Sequence, residues 1–315
     1  MSLSSAARLA VRYALLPLAL VALVPGCNDD PPGGGGAEGG RTISVPFDTE
    51  FGALTLIQAL EMALPGDSIL VQSGHSETFA QVVIIQSSQT PFYLGGGKTR
   101  PVVTAPVGGT AAIVFRNPKE GTLVELMDFR GGNAALQAMG GFLNVAGCAF
   151  RGGQVHVRGS DGATLRVKEC LMDSPGVFGI ELSAGGATAT QNTIYRAGDC
   201  GMLIVGGAVL VADKNLIVEA ANWGIACQAG GTLGAGSLCN DILASGTADY
   251  SPGCAIPETD FSIDPMFCDT GARDFRLDSR SVCAPQNVEG SECAVSGNPE
   301  LGVGAMAVGC SPDDL

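Results

Sequence analysis

Glycine-containing turns recur along this chain at a nearly constant interval, and this repeat limits its possible folds more than any other feature. The repeated turns are Gly140-Gly141, Asp161-Gly162, Gly185-Gly186, Gly206-Gly207 and Gly230-Gly231. Successive turns are 21 to 24 residues apart. A period of this length indicates a solenoid, in which each repeat forms one coil that stacks on its neighbours.

The segments between these turns have matching residue character. One fixed position, after the first strand of each repeat, is occupied in turn by Met127, Cys148, Cys170, Asn192, Asn215 and Asn240. We expect Asn192, Asn215 and Asn240 to form an inward ladder, because stacked amides can hydrogen-bond along the axis and pair turn backbone groups. Regular Leu-x-x-Leu-x-Leu segments, which a leucine-rich horseshoe needs, do not occur in the sequence. The sequence therefore predicts an all-β parallel β-helix, with its coils over residues 67–254.

Three stretches resemble the right-handed parallel β-helix proteins that are related in fold to pectate lyases, in particular exported bacterial members. They are 56–71, which includes Pro65-Gly66-Asp67; 239–241 with 264–268; and 274–283 with 302–310. The resemblance covers roughly residues 42 to 310. It implies a right-handed coil and an N-terminal capping helix. Because these motifs are structural, the resemblance says little about activity.

Both ends of a β-helix leave core residues and unpaired backbone to be covered. Residues 42–66 are predicted to cap the N-terminal end, and residues 255–315 are predicted to close the C-terminal end through disulfides. The cysteines assigned to this closure are Cys268, Cys283, Cys293 and Cys310, and the sequence leaves their pairing open. Cys148 and Cys170 share an inward column, where either buried thiols or a bridge would fit.

The first 26 residues have the pattern of a signal peptide. Two arginines precede an apolar run, residues 13–24, that is too short for a convincing membrane span. Residues 23–27, Leu-Val-Pro-Gly-Cys, resemble the lipobox of bacterial lipoproteins, although Pro25 departs from it. This resemblance implies lipid attachment at Cys27, and the alternative is an ordinary secretory signal with Cys27 in a disulfide. Residues 27–41 are predicted to form a flexible tether, rich in glycine and proline.

Charge and cysteine content narrow the function classes. The chain has 31 acidic and 17 basic side chains, a net charge of −14, which argues against a nucleic-acid partner. Without Cys27, ten of the eleven cysteines remain, an even number that is typical of exported disulfide proteins. We therefore expect an exported lipoprotein of the bacterial cell envelope, at the outer membrane or the cell surface, attached to the membrane through Cys27.

The repeat also aligns charged side chains that could bind a ligand. Arg130, Arg151 and Asp173 fall in one outward column, with Arg196 on the next turn. Stacked arginines could bind the carboxylate or sulfate of an acidic glycan, and the alternative is a solvated turn edge.

Four strand residues, in two pairs, raise further questions of function. His156 aligns with Glu181 in an outward column, as an acid–base pair or as a simple cross-strand contact. The aromatic residues Phe178 and Trp223 occupy matched positions, which the alternation of the strands places inward, in the core.

Catalytic motifs give little support for an enzyme. The alignment of the coils does not reveal two carboxylates at the spacing that glycoside hydrolysis needs. We expect no metal or cofactor, and predict a non-catalytic protein that binds a glycan or another envelope component. The alternative is a polysaccharide lyase or glycoside hydrolase of the pectate-lyase-like fold with an atypical site.

Overall fold

The computed structural model describes residues 40–45, 54–97, 99–288, 293 and 302–310. The signal peptide, Cys27 and nearly all of the predicted tether lie outside these residues. The described elements, in chain order, are β1 (Thr42–Val45), α1 (Leu56–Met62), β2 (Ser68–Val71), β3 (Ser76–Thr78), β4 (Val83–Ile85), β5 (Tyr93–Gly96), β6 (Val102–Thr104), β7 (Ile113–Arg116), β8 (Leu123–Glu125), β9 (Asp128–Arg130), β10 (Ala134–Met139), β11 (Phe142–Ala146), β12 (Ala149–Arg151), β13 (Val155–Ser160), β14 (Thr164–Lys168), β15 (Leu171–Asp173), β16 (Phe178–Ser183), β17 (Gly186–Thr190), β18 (Thr193–Tyr195), β19 (Cys200–Val205), β20 (Val209–Asp213), β21 (Leu216–Val218), β22 (Trp223–Cys227), β23 (Thr232–Leu233), β24 (Asp241–Leu243), β25 (Ala248–Tyr250), β26 (Phe267–Asp269), β27 (Asp274–Asp278), α2 (Pro285–Val288) and β28 (Val308–Cys310).

The chain forms a parallel β-solenoid, as the repeat predicts. Each coil from β2 to β25 contributes one strand to each of three sheets. Sheet 1 has the order β1-β2-β5-β8-β11-β14-β17-β20-β23, sheet 2 runs from β3 to β24, and sheet 3 runs from β4 to β25. Neighbouring strands of these sheets are parallel, so residues at equivalent positions stack in columns along the axis.

Sheet 2 shows how the alternation of a short strand builds the core. The middle residue of each triplet faces inward, and the outer two face away from the core. Phe129, Phe150, Met172, Ile194 and Ile217 occupy successive middle positions, and each is at most 1% exposed. The Phe129 and Phe150 rings stack with centroids 5.5 Å apart. Burying each of these side chains contributes about 2 kcal/mol, so the column is a main source of stability.

The asparagine column lies at the turn between sheets 1 and 2. Asn215 Oδ1 accepts from the backbone N–H of Asn192 at 3.0 Å and from its side-chain amide at 2.9 Å. Asn240 Oδ1 accepts the same pair of bonds from Asn215. Each amide also donates to a backbone carbonyl, for example Asn215 Nδ2 to Ala189 O at 2.8 Å. All three asparagines are fully buried, so these bonds satisfy groups that water cannot reach.

Helix α1 covers part of the N-terminal region of the core. Thr55 caps it, because its Oγ1 accepts from Gln58 N at 3.2 Å while the Gln58 side chain bonds back to Thr55 N. The buried face of the helix consists of Leu56, Ala59 and Leu60, which belong to the main hydrophobic cluster.

Part of the C-terminal segment, for which closure of the solenoid end by residues 255–315 is predicted, lies along the outer face of sheet 2. Phe275, Leu277 and Val303 pack against the outer face of sheet 2, over Tyr195 and Leu216. The physical reason is that four of the six outward positions of β15, β18 and β21 are apolar and need cover from water: Leu171, Tyr195, Leu216 and Val218. Strands β26, β27 and β28 form a separate small sheet in this segment.

Three disulfides are present among the described residues. They join Cys227 to Cys254, Cys239 to Cys293, and Cys268 to Cys310. The prediction of a disulfide at Cys283 is wrong, because this thiol is free and buried, and donates to Asp241 Oδ2 at 3.1 Å.

The redox state of the other described cysteines is also defined. Cys148, Cys170 and Cys200 are free and buried.

Because disulfides persist in oxidising compartments, the three bridges indicate an extracytoplasmic environment. Within the described part of the chain, no helix has the length and apolar character to cross a membrane.

Candidate functional site

A cluster of charged side chains lies on the outer face of sheet 2, next to the part that the C-terminal segment covers. In strands β9, β12 and β15 the middle residue faces the core, so the first and third residues face outward. Arg130, Arg151 and Asp173 therefore stack in register on three successive coils. The structure thus brings together three of the residues that the sequence assigns to a ligand surface.

Two further residues complete this arrangement, which we call the arginine cluster: Asp128, Arg130, Arg151, Asp173 and Arg273. The Asp128 side chain is only 9% exposed, and its Oδ2 accepts from Arg130 Nη2 at 3.0 Å. Arg151 Nε approaches the same oxygen at 3.5 Å. Asp173, with 3% of its side chain exposed, has Oδ2 at 3.3 Å from Arg273 Nη1. Each buried carboxylate thus holds at least one partly exposed guanidinium.

Hydrogen bonding within the arginine cluster is incomplete. Asp128 Oδ1, Arg151 Nε and Asp173 Oδ2 are buried atoms without a hydrogen-bond partner among the described residues. The contacts of Arg151 and Arg273 with these carboxylates are ion pairs that lack hydrogen-bond geometry. Arg151 is 35% exposed, and therefore has donors that an outside group can reach. The cluster provides three positive and two negative groups, whereas the whole chain has a net charge of −14.

Arg196 has its own partners outside this cluster. Its Nε donates to Glu219 Oε2 at 2.6 Å, and its guanidinium lies 4.8 Å from the centroid of the Tyr195 ring. Both contacts fix it to its own coil and to the following one. Arg196 is therefore a bordering residue, which the sequence grouped with Arg130 and Arg151 because it lies on the next turn.

The predicted pairing of His156 with Glu181 is wrong. The register pairs Arg158 with Glu181, and Arg158 Nε donates to Glu181 Oε2 at 2.7 Å. His156 is fully buried, with Nε2 at 2.8 Å from Gly152 O and its ring stacked on Phe150 at 5.5 Å. Burial lowers the pKa of His156 to about 4, so the imidazole is neutral at pH 7.

The predicted pairing was two residues out of register, and an interruption of strand alternation explains why His156 faces inward. In β13 both His156 and Val157 are buried, so two successive residues face inward. The next coils have glycine opposite the histidine position, beginning with Gly179, between the paired residues Phe178 and Ile180. A Cβ on Gly179 would lie 2.8 Å from Gly201 O, so a side chain does not fit there. A prediction that alternates strictly through the His156 position therefore assigns the residues on one side of it to the wrong face of the sheet.

The same interruption moves Phe178 and Trp223 from the predicted core to the outer face of sheet 3. Both are partly buried and pack against a small cluster that is separate from the main core. This cluster contains Cys200, Leu203 and Ala226. Burial, together with a hydrogen bond to Asp199, raises the pKa of Cys200 to about 12, so its thiol stays protonated and unreactive.

A second group of acidic side chains lies where the coils end. Asp260 continues the asparagine column, since its Oδ1 accepts from Asn240 N at 2.8 Å, and its other oxygen accepts from the Tyr250 hydroxyl. Burial raises the pKa of Asp241 to about 6, and hydrogen bonds from Ile263 N and Cys283 partly oppose this shift. Burial likewise raises the pKa of Asp249 and of Asp260. None of the described residues forms a group of three or more side chains suited to hold a metal ion.

Comparison with known proteins does not assign the chain to a family. No protein-family model matches the sequence, and a search of curated proteins finds no significant match. The fold and the site therefore define the class: an all-β parallel β-solenoid of an extracytoplasmic environment, with an arginine cluster on one outer face.

Sequence reasoning missed two members of the arginine cluster. Asp128 was detectable, because Asp128-Phe129-Arg130 is a triplet with a core residue between two outward positions. Arg273 gave no such signal, since it lies 100 residues after Asp173 and reaches it only through the fold of the C-terminal segment.

Proposed function

We propose that this protein is an exported, lipid-anchored and non-catalytic protein that uses its β-solenoid to bind an anionic glycan at the arginine cluster. The lipid would be attached to Cys27, at the outer membrane or the cell surface, with residues 27–41 as the tether. The three disulfides support an exported location. Incorporation of radiolabelled fatty acid into the wild-type chain, and its loss in Cys27→Ser, tests the anchor. Equal labelling of both chains would contradict it.

The observation that carries the binding proposal is the grouping of Arg130, Arg151 and Arg273 on one face of an acidic protein. The negative charge on most of the protein surface would repel an anionic polymer, whereas this face has a local excess of positive charge. A guanidinium can donate two parallel hydrogen bonds to a carboxylate or sulfate, and such charge-assisted bonds are the strong ones. An acidic glycan supplies these groups at regular intervals along a chain.

The column geometry also suits an extended ligand. Arg130 and Arg151 occupy the same position on adjacent coils, which are about 4.8 Å apart in a parallel sheet. Arg273 adds a third guanidinium beside Asp173, one coil further along. A ligand that follows the solenoid axis would meet the three groups in sequence.

The carboxylates of the cluster have a positioning role in this proposal. Asp128 and Asp173 are almost completely buried and each contacts an arginine. They would hold the guanidinium groups in place before the ligand arrives, which reduces the entropy that binding costs. In the proposal they do not act as an acid and a base on the glycan.

Titration of oligogalacturonate into the purified protein tests this function. We expect Arg151→Gln to weaken binding about tenfold, since it removes a charge-assisted contact. Arg116→Gln is the matched control, because Arg116 is an exposed arginine at the end of β7, away from the cluster. Equal affinity of Arg151→Gln and the wild type would contradict the site. Formation of shorter or unsaturated oligomers during the titration would contradict the non-catalytic assignment.

A further inference from the structure

The three sheets of the solenoid do not end at the same level. In sheet 2, Phe261 continues the stack beyond β24, because its N–H donates to Asn240 O and its carbonyl accepts from Ile242 N, both at 3.0 Å. In sheet 3, β25 is the last strand of the part that the structure describes. After Phe261 the chain leaves toward β26. Among the described residues, one strand position is therefore open on sheet 3, beside β25.

A cavity of about 350 Å³ lies at this open position, and we call it the end notch. Its lining residues are Ile242, Ala248, Asp249, Tyr250, Ile256, Asp260, Phe261 and Ser262. Ile256 is 67% exposed, a high value for a side chain of this size and apolarity. The notch thus combines a strand edge with apolar side chains that are accessible from outside.

The charge of the end notch indicates which kind of group it attracts. Its lining includes the carboxylates of Asp249 and Asp260 and lacks any lysine or arginine. Asp260 already accepts hydrogen bonds from Asn240 and from Tyr250. Asp249, which hydrogen-bonds with Ser262, is the carboxylate with fewer bonds. In a chain with a net charge of −14, such a site repels anions and attracts a cation.

We propose that the end notch binds an extended peptide with basic side chains, which adds to β25 as a further strand of sheet 3. An exposed strand edge is a template for main-chain hydrogen bonding, and alternate side chains of an added strand point to the same side. One set would contact Ile256, while a lysine or arginine would reach Asp249. This site is separate from the arginine cluster, and the proposal holds whether or not the glycan proposal does.

The test uses a fluorescent peptide of alternating lysine and valine, about ten residues long, long enough for strand addition. We expect saturable binding to the whole protein, and binding about tenfold weaker to Asp249→Asn. Asp161→Asn is the matched control, because it removes an exposed turn carboxylate away from the notch. Equal weakening by both variants would show a general charge effect and overturn the proposal. Equally tight binding of a glutamate–valine peptide would also overturn it.

A second measurement distinguishes strand addition from simple ion pairing. Methylation of alternate backbone nitrogens of the same peptide removes main-chain donors and leaves every charge in place. Strand addition predicts that this peptide loses binding, and that the unmodified peptide slows amide exchange in residues 248–250. Full binding of the methylated peptide contradicts the proposal. Self-association of the protein through the notch, seen as a dimer that Asp249→Asn abolishes, would contradict it as well.

Discussion

Arg151 Nε lies 3.5 Å from Asp128 Oδ2 on the preceding coil. This nitrogen atom is buried and has no hydrogen-bond partner among the described residues. The pair is therefore held by charge attraction, with donors of Arg151 left for another group. This geometry connects the coil register to the proposed function. The register fixes which side chains stack, and the stacked charges determine which ligand the face can attract.

Replacing Asp128 by asparagine should lower stability, since the buried carboxylate would no longer neutralise Arg130 and Arg151. We expect a loss of about 1–2 kcal/mol in the free energy of unfolding, a modest value because both guanidiniums are partly exposed to water. Urea denaturation measures this loss. Asp161→Asn, in an exposed turn, serves as the control and should change stability by less than about 0.5 kcal/mol. A similar effect of both changes would mean that Asp128 does not organise the cluster.

The asparagine ladder should be among the most sensitive parts of the molecule. Asn215→Ala removes the acceptor of the Asn192 backbone N–H and of the Asn192 side-chain amide, and it removes one donor to the Ala189 carbonyl in the core. We expect unfolding to become easier by about 3–5 kcal/mol, because each buried unpaired group costs about 1–3 kcal/mol. Asn144→Ala is a useful comparison, since Asn144 is only partly buried and donates to Thr122 O on the surface of sheet 1. Equal losses for the two variants would argue against a special role of the ladder.

His156 should make the fold sensitive to mild acid. Its pKa is about 4 in the folded protein, below the ordinary value of 6.5, because burial disfavours the charged form. The unfolded chain therefore binds the proton first, and stability falls as the pH drops from 6.5 toward 4, by up to about 3 kcal/mol. The raised pKa of Asp241, about 6, acts in the opposite direction over the same range.

The difference between the wild type and His156→Leu isolates the histidine contribution. Both chains contain Asp241, so its effect cancels when their unfolding free energies are subtracted at each pH. We expect the unfolding free energy of the wild type minus that of His156→Leu to fall between pH 7 and pH 4, because only the wild type has a neutral buried histidine whose contribution is lost in acid. A difference that stays constant over this range would show that His156 is not buried and neutral.

The bridge between Cys268 and Cys310 should hold the C-terminal segment on sheet 2. It joins β26 to β28 across a separation of 42 residues. Replacing both cysteines by serine should cost about 3–4 kcal/mol in the chain-entropy estimate for a loop of this size. Hydrogen exchange should rise in the covered strands β18 and β21 and stay unchanged in β9, which the segment does not cover. Uniform acceleration in all these strands would contradict a local fastening role.

The sequence predicts the solenoid because its signals are local and repeat in each coil. The side-chain oxygens of Asn192, Asn215 and Asn240 each accept from the backbone N–H at the same position on the preceding coil, so a periodic pattern is enough to find them. The placement of His156 was wrong because strand alternation breaks where β13 places two successive residues inward. A search for apolar residues at every second position does not reveal such an interruption.

The contacts of the C-terminal segment could not be predicted from the sequence for a different reason: they join residues that are far apart in the chain. Gln191 Nε2 donates to Gly302 O at 3.2 Å across 111 residues, and Ala305 N donates to Thr193 Oγ1 across 112. The sequence predicts that this segment closes the C-terminal end of the solenoid through disulfides. It did not indicate that the apolar outward residues of sheet 2 are what the segment covers.

The most direct test of the central claim compares two versions of one ligand by calorimetry. Oligogalacturonate is titrated into the protein, followed by the same oligomer with its carboxylates reduced to alcohols. We predict binding of the acidic oligomer that weakens with added salt, and at least about tenfold weaker binding of the neutral oligomer. Equal affinity for both oligomers would contradict the claim that the arginine cluster recognises anionic groups of a glycan.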